Sequence, residues 1–155
     1  MELARNLKTD SVSRLHPTEP RKVAPAQTVA EAVALMRRYK VGCLLGCEGR
    51  KVVGIFTERD LLRRVLAASR PLTEPVSSCM TPDPVTVNPK ESISAALRRM
   101  EEGGYRHLPV VDHAGQAVGV LSVKRIVHYL AEHFPDTVYN LPPDAGTVPQ
   151  AAEGA

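Results

Sequence analysis

The stretch QTVAEAVALMRRYKVGCLLGCE, residues 27–48, returns 64 positions later as ESISAALRRMEEGGYRHLPVVD, residues 91–112. The alignment superimposes Thr28 on Ser92, Val29 on Ile93, Ala32 on Ala96, Val33 on Leu97 and Met36 on Met100. Both copies are apolar at i, i+3, i+4 and i+7, the stripe of an amphipathic helix. Thr28 reads as the N-cap of the first, with Glu31 completing a capping box. At the same offset Pro20, Val23 and Pro25 fall on Pro84, Val87 and Pro89, so a short strand fenced by prolines precedes each helix. Two apolar runs follow in each copy, CLLGC then VVGIF and LPVV then AVGVL, joined by turns containing EGRK and DHAGQ. A second helix closes each unit, from about Thr57 to Ala68 and from about Val123 to His133. There Leu61, Leu62, Val65 and Leu66 are answered by Ile126, Val127, Leu130 and Ala131.

The unit is therefore β-α-β-β-α, and about 60 residues with one apolar face per helix make a marginal domain alone. The two copies are expected to pack on each other as one pseudo-symmetric module, an α/β fold of the α+β type. The division reads as a lead-in over 1–15, a first repeat over 16–69, a linker over 70–83, a second repeat over 84–134 and an extended or flexible tail over 135–155. The lead-in leaves a short helix and a frayed segment both open. In the tail, Val138, Tyr139 and Leu141 are candidates to dock on a neighbour.

Composition removes several classes of function. Of 155 residues, 43% are hydrophobic but only 4% aromatic, with no Trp, so burial rests on aliphatic side chains. No apolar run approaches the roughly 18 residues of a membrane span, and MELARNLKTD lacks a secretory stretch, so the expectation is a cytoplasmic protein with no membrane partner. Three cysteines do not make a disulfide framework, and within a strand Cys43 and Cys47 would lie roughly 13 Å apart, too far for a disulfide or a shared metal. The net charge of +3 is mild and the basic residues come in pairs, which gives no nucleic-acid face. No catalytic constellation is visible, and an enzyme is not expected.

The sharpest signal is the turn GIFTERD, residues 54–60, repeated as GVLSVKR, residues 119–125, with Arg125 where the first copy has Asp60. Taken alone, Thr57-x-x-Asp60 is nearly a capping box, and an acid in a first helical turn needs no ligand to be favourable. Two such turns in register with two matching helices, MTPDPVTVNP opening the second copy and the strand YRHLPVVD carry more. The sequence resembles a tandem pair of cystathionine-beta-synthase (CBS) domains, the arrangement called a Bateman module, over residues 16 to about 134.

The resemblance implies a cleft between the repeats that binds an adenosine-containing ligand. By position it would combine Ile55, Thr57 and Asp60 with Val85 and Thr86, Arg106, His107 and Pro109, and Lys124. Thr57 at a strand-to-helix junction suits a phosphate, and the Asp60 carboxylate suits the paired hydroxyls of ribose. Apolar strand residues sandwich the adenine, while Arg106 and Lys124 neutralise phosphate. Arg125 has donors only, so the mirror-image cleft is expected to be degenerate. The implied function is a non-catalytic sensor of AMP, ADP or ATP with no obligatory cofactor, forming a homodimer and signalling to a regulated protein. The alternatives are a ligand-free dimerisation scaffold and a sensor of NAD or S-adenosylmethionine. The two cations favour AMP or ATP.

Overall fold

The computed structural model of the chain describes residues 2–135. Its elements run α1 (Glu2–Thr9), β1 (Lys22–Val23), α2 (Val29–Tyr39), β2 (Cys43–Glu48), β3 (Lys51–Thr57), α3 (Glu58–Asp60), β4 (Thr81–Pro82), α4 (Ile93–Gly103), β5 (His107–Val111), β6 (Ala117–Ser122) and α5 (Val123–His133). The first sheet has the order β1-β2-β3-β4, with β1 parallel to β2 and the other pairs antiparallel. The second is β5-β6, flanked by single bridges from Val87 to Val110 (parallel) and Thr18 to Val120 (antiparallel), which stand where β1 and β4 stand in the first. The β-α-β-β-α repeat and its pseudo-symmetry are thus present in the backbone pairing.

Strand alternation sorts the apolar residues into three clusters. Leu44 and Phe56 point into the first repeat's core and Leu108, Val110 and Leu121 into the second's. Cys43, Leu45, Cys47 and Ile55 point the other way and meet Val120 across the repeats. The hairpin tips also join, through Val52 N–H to the Gly115 carbonyl and Ala117 N–H to the Arg50 carbonyl. All three cysteines are free and buried, Cys43 and Cys47 on this shared face.

Thr28 and Ser92 cap α2 and α4, accepting from Glu31 N–H and Ala95 N–H at 3.1 Å each. The box expected at Thr28 is half made: the Glu31 carboxylate takes the Gln27 amide instead of returning to the cap. Both helices end in a left-handed residue, Lys40 and Gly104.

Four features depart from the simple repeat. The lead-in folds as α1 and a 3-10 turn (Val12–Leu15), and Val12 and Leu15 are buried in the second repeat's core. In the segment 70–83 a second 3-10 turn (Val76–Ser78) buries Val76 and Cys79 in the first repeat's core. The helix expected after Thr57 continues from α3 as a π-helix (Leu61–Leu66). Its apolar face is only half covered, since Val65 is buried while Leu62 and Leu66 are 61% and 58% exposed. In α5, Val123 and Val127 are exposed in the same way. The expectation for Val138, Tyr139 and Leu141 lies outside the described residues. Among the described residues no helix is long and apolar enough to cross a membrane.

Since Leu15 is 3% exposed inside a cluster of the second repeat, Leu15→Ala should cost about 2–5 kcal/mol. Thermal unfolding should then fall by roughly 5–15 °C; a lead-in that merely lay alongside the module would leave the melting temperature where it was.

Candidate functional site

Period-two alternation places Ile55 and Thr57 on the face of β3 that looks toward the second repeat. Thr57 then caps α3. Its hydroxyl accepts the Asp60 N–H at 3.2 Å, and the Asp60 Oδ2 accepts both the Thr57 N–H at 3.0 Å and the Thr57 hydroxyl at 3.1 Å. The capping box is complete. Asp60 is 8% exposed, and its Oδ1 faces Arg64 Nε at 3.5 Å, a long ion pair. A carboxylate has about four lone-pair sites. Those of Oδ2 are filled, and Oδ1 keeps acceptor capacity, so the residue fits a sugar hydroxyl without losing its cap.

Gly54 serves packing rather than ligand approach. A Cβ there would stand 2.5 Å from the Met80 sulfur, and one at Gly46 would stand 2.7 Å from it. Arg64 in turn donates to the Met80 carbonyl at 3.1 Å, tying the turn to the chain that enters β4.

The facing wall begins at β5. His107, Pro109 and Val111 alternate with the core residues Leu108 and Val110, and Val123 N–H donates to the Arg106 carbonyl at the start of α5. His107 meets Glu58 over Gly42: a Cβ on that glycine would lie 3.0 Å from Glu58 Oε1 and 3.7 Å from His107 Cε1. Burial holds the imidazole below its ordinary pKa; Glu58 pulls it back up and Arg106 pushes it further down. The Cys43 thiol beside them is pushed by burial, and secondarily by Glu58, up to about 12, so it is no nucleophile at neutral pH. Arg106 is exposed and lines, with Glu58, Arg59, Leu61, Leu62, Arg63 and Leu66, an open groove of about 590 Å³.

Thr57 and Asp60 are thus joined by hydrogen bonds, while Arg106 shares the groove lining with Glu58, two residues before Asp60, and His107 and Glu58 flank Gly42. Val85 and Thr86 leave the β3 edge after β4, where Thr81 pairs with Ile55 and Asp83 N–H donates to the Val53 carbonyl. Pro109 is buried and pairs with Val120. Lys124 is exposed on the first turn of α5. Among the described residues no hydrogen bond or ion pair links Val85, Thr86, Arg106, His107, Pro109 or Lys124 to Thr57 or Asp60. In the mirror-image turn, Ser122 accepts the Arg125 N–H at 3.3 Å, so the cap survives while the carboxylate is gone.

Sequence reasoning passed over Glu58, Arg64 and Arg99. Arg64 had a readable signal, four residues after an acid on one helix. Arg99 had none: it forks onto both oxygens of Glu91 at 2.5 Å each and donates to the Thr86 carbonyl at 3.0 Å. That fork holds the Glu91 carboxyl below its usual range.

A family model for the CBS domain matches residues 12–67 and 76–132. The chain is 34% identical over 113 residues to the CBS domain-containing protein YhcV of Bacillus subtilis, covering 73% of this chain and 80% of that protein. It is 41% identical over 106 residues to the meiotically up-regulated gene 70 protein of Schizosaccharomyces pombe, covering 68% of this chain but only 14% of that much longer protein. Two CBS domain-containing proteins of Arabidopsis thaliana are likewise spanned over 19% and 22% of their length. Among solved structures, the CBS domain protein PAE2072 of Pyrobaculum aerophilum complexed with AMP superposes with a TM-score of 0.71 at 26% identity, over 79% of this chain and 99% of that one.

The depressed pKa of His107 makes the contact between the repeats acid-sensitive. Below the unfolded imidazole value of about 6.5 the unfolded chain binds a proton that the folded chain resists, so stability falls as pH drops. Denaturant melts at pH 7.5, 6.5 and 5.5 should show that decline in the wild type and a shallower one in His107→Gln. Equal slopes in the two proteins would assign the decline to other groups.

Proposed function

The chain belongs to the CBS-domain family, with two copies of the domain in tandem, and from that premise we propose that it is a non-catalytic regulatory module. It binds an adenine nucleotide, AMP or ATP in preference to NAD or S-adenosylmethionine, in the cleft built on the first turn, and passes the change of shape to a partner protein. The observation that carries this reading is the asymmetry of the two turns. Asp60 keeps acceptor capacity on Oδ1 beside its long ion pair with Arg64, whereas Arg125 offers donors only.

Thr57 supports a coupled exchange. Its hydroxyl proton is held by Asp60 Oδ2; turned onto a phosphate oxygen, it would release an Oδ2 lone pair to a sugar hydroxyl. Arg106 and Lys124, both exposed, supply the opposing positive charge. The AMP found in the Pyrobaculum relative favours the same ligand class. The free cysteines suit a reducing compartment, in keeping with a cytoplasmic protein. The scaffold reading has one observation in its favour, the completeness of the Thr57–Asp60 capping box, which gives both residues a structural role.

Homodimerisation is part of the proposal. Leu62 and Leu66, one turn apart, and Val123 and Val127, likewise one turn apart, leave apolar stripes in water on the helices that follow the two turns. A second copy of the chain covers them by matching stripe to stripe.

In a thermal-shift titration, AMP at about 100 times its dissociation constant adds about 2.7 kcal/mol, a melting rise on the order of 5–10 °C. Asp60→Asn keeps an oxygen for the cap but puts an amide donor where ribose needs an acceptor, so its AMP affinity should fall about tenfold or more. A wild type unmoved by AMP, ADP and ATP would leave the scaffold. Separately, light scattering should find a dimer for the wild type and a monomer for the Leu62→Asp, Val127→Asp double variant; a wild type monomeric at tens of micromolar removes the dimer.

A further inference from the structure

The cap on α3 leaves Asp60 one freedom. Both cap bonds to its carboxylate, from the Thr57 N–H and the Thr57 hydroxyl, end on Oδ2, and the χ2 torsion of an aspartate is broad. A carboxylate held by one oxygen still swings the other about it. Among the described residues only Arg64 meets Oδ1, its Nε at 3.5 Å. The guanidinium is itself anchored, since Nη1 donates to the Met80 carbonyl at 3.1 Å. Met80 is fixed in turn: its N–H donates to the Val76 carbonyl at 2.9 Å, its sulfur fills the space left by Gly46 and Gly54, and the next residue, Thr81, pairs with Ile55. Nε and Nη1 belong to one rigid plane, so anchoring one places the other.

The second repeat supplies the contrast. At an offset of 65, Asp60 falls on Arg125 and Arg64 on Tyr129. Tyr129 also ties its helix to an exchanged segment, by donating to Asp10, and it does so with a single hydroxyl. The tie alone therefore needs no guanidinium. Where the acid is present, the tying side chain has a second arm and that arm faces the acid; where the acid is replaced, so is the arm.

We propose that Arg64 is the positioning residue of the sugar acceptor: anchored on the Met80 carbonyl, it braces Asp60 Oδ1 in the orientation that receives a ribose hydroxyl. This rests on the nucleotide reading above and adds a residue to it. A carboxylate oxygen has two lone-pair sites, so the long ion pair on one side of Oδ1 leaves the other to the hydroxyl. An oxygen braced in advance spares the ligand the cost of ordering it. Arg64 touches no ligand in this assignment and acts through Asp60.

AMP and 2′,3′-dideoxy-AMP differ only in the two ribose hydroxyls, so the ratio of their affinities reads the sugar contact and cancels any general loss of stability. By isothermal titration the wild type should favour AMP by about tenfold or more. Arg64→Gln, too short and without the fork to bridge two acceptors, should bring the ratio to within about threefold of unity while affinity for the dideoxy analogue stays near the wild-type value. Arg64→Tyr, the residue of the second repeat, should do the same and stands in if Arg64→Gln does not fold. Variants that weaken both ligands in equal proportion would make Arg64 a structural tie and overturn the assignment, as would a wild type that binds the two ligands alike; either result leaves the nucleotide reading standing. A wild type that binds no adenine nucleotide would remove both.

Discussion

Neither repeat closes its own core. Val12 and Leu15 precede the first repeat but are buried in the second, whereas Val76 and Cys79 precede the second and are buried in the first. Each exchanged segment is also tied by a polar contact to the helix that ends its host repeat. Tyr129 donates to Asp10 in one case, and Arg64 donates to the Met80 carbonyl in the other. Arg64 and Tyr129 occupy corresponding positions in the two helices. A marginal unit of about 60 residues gains from such borrowing what it lacks in buried area, and the cost of pulling the repeats apart includes opening both cores. The relative placement of β3 and β5, and with it the cleft, follows from that exchange.

Upon this frame the two turns diverge in the chemistry of one position, Asp60 against Arg125. Thr57 and Ser122 both cap a helix by accepting an N–H three residues on. Only the first cap is reciprocated by a carboxylate, and only that carboxylate leaves an oxygen over. On the proposed reading, capping and ligand binding are therefore not rival uses of Asp60: the cap fixes the side-chain rotamer, so the remaining oxygen is aimed before any ligand arrives. The Ser122 cap retains the helix start and drops the acceptor, which shows that the structural role of the turn does not need the carboxylate.

The repeat, the order of its elements and the half-buried alternation of its strands were readable because they rest on periodicity, and periodicity is local. Thr28 and Thr57 as caps followed from the same local rule, and Ser92 and Ser122 cap at the aligned positions. What the sequence could not display is pairing across distance. Nothing in Val12 or Val76 says that each serves the other repeat, and nothing near Arg99 points to the Thr86 carbonyl. The period also put Leu62 and Leu66 on the apolar face of their helix, yet Val65 is buried and both leucines stand in water, as does the aligned Val127 in the regular helix α5. Glu31 satisfies the pattern of a capping box yet bonds Gln27, because a nearby amide competes with the cap N–H. The residues of the cleft came from position within a resemblance, and the geometry gives them unequal standing: Thr57 and Asp60 are bonded to each other, whereas Val85, Arg106 and Lys124 are exposed side chains, of which Arg106 lines the groove.

The groove of about 590 Å³ joins two things that sequence treats separately, since Arg106 lines it together with Leu62 and Leu66. A cation suited to phosphate and an apolar stripe suited to a second copy thus share one surface. On the proposed reading, a nucleotide phosphate that draws in Arg106 changes the shape and charge of the surface on which the partner copy rests. Binding and assembly linked in this way must be reciprocal: whatever free energy the ligand adds to one dimer geometry, that geometry returns as affinity for the ligand. The charges of the groove set the sign of the link: Glu58 is outnumbered by Arg59, Arg63 and Arg106, so on the same reading an anionic ligand moves the surface toward neutrality on the face where the leucines are exposed.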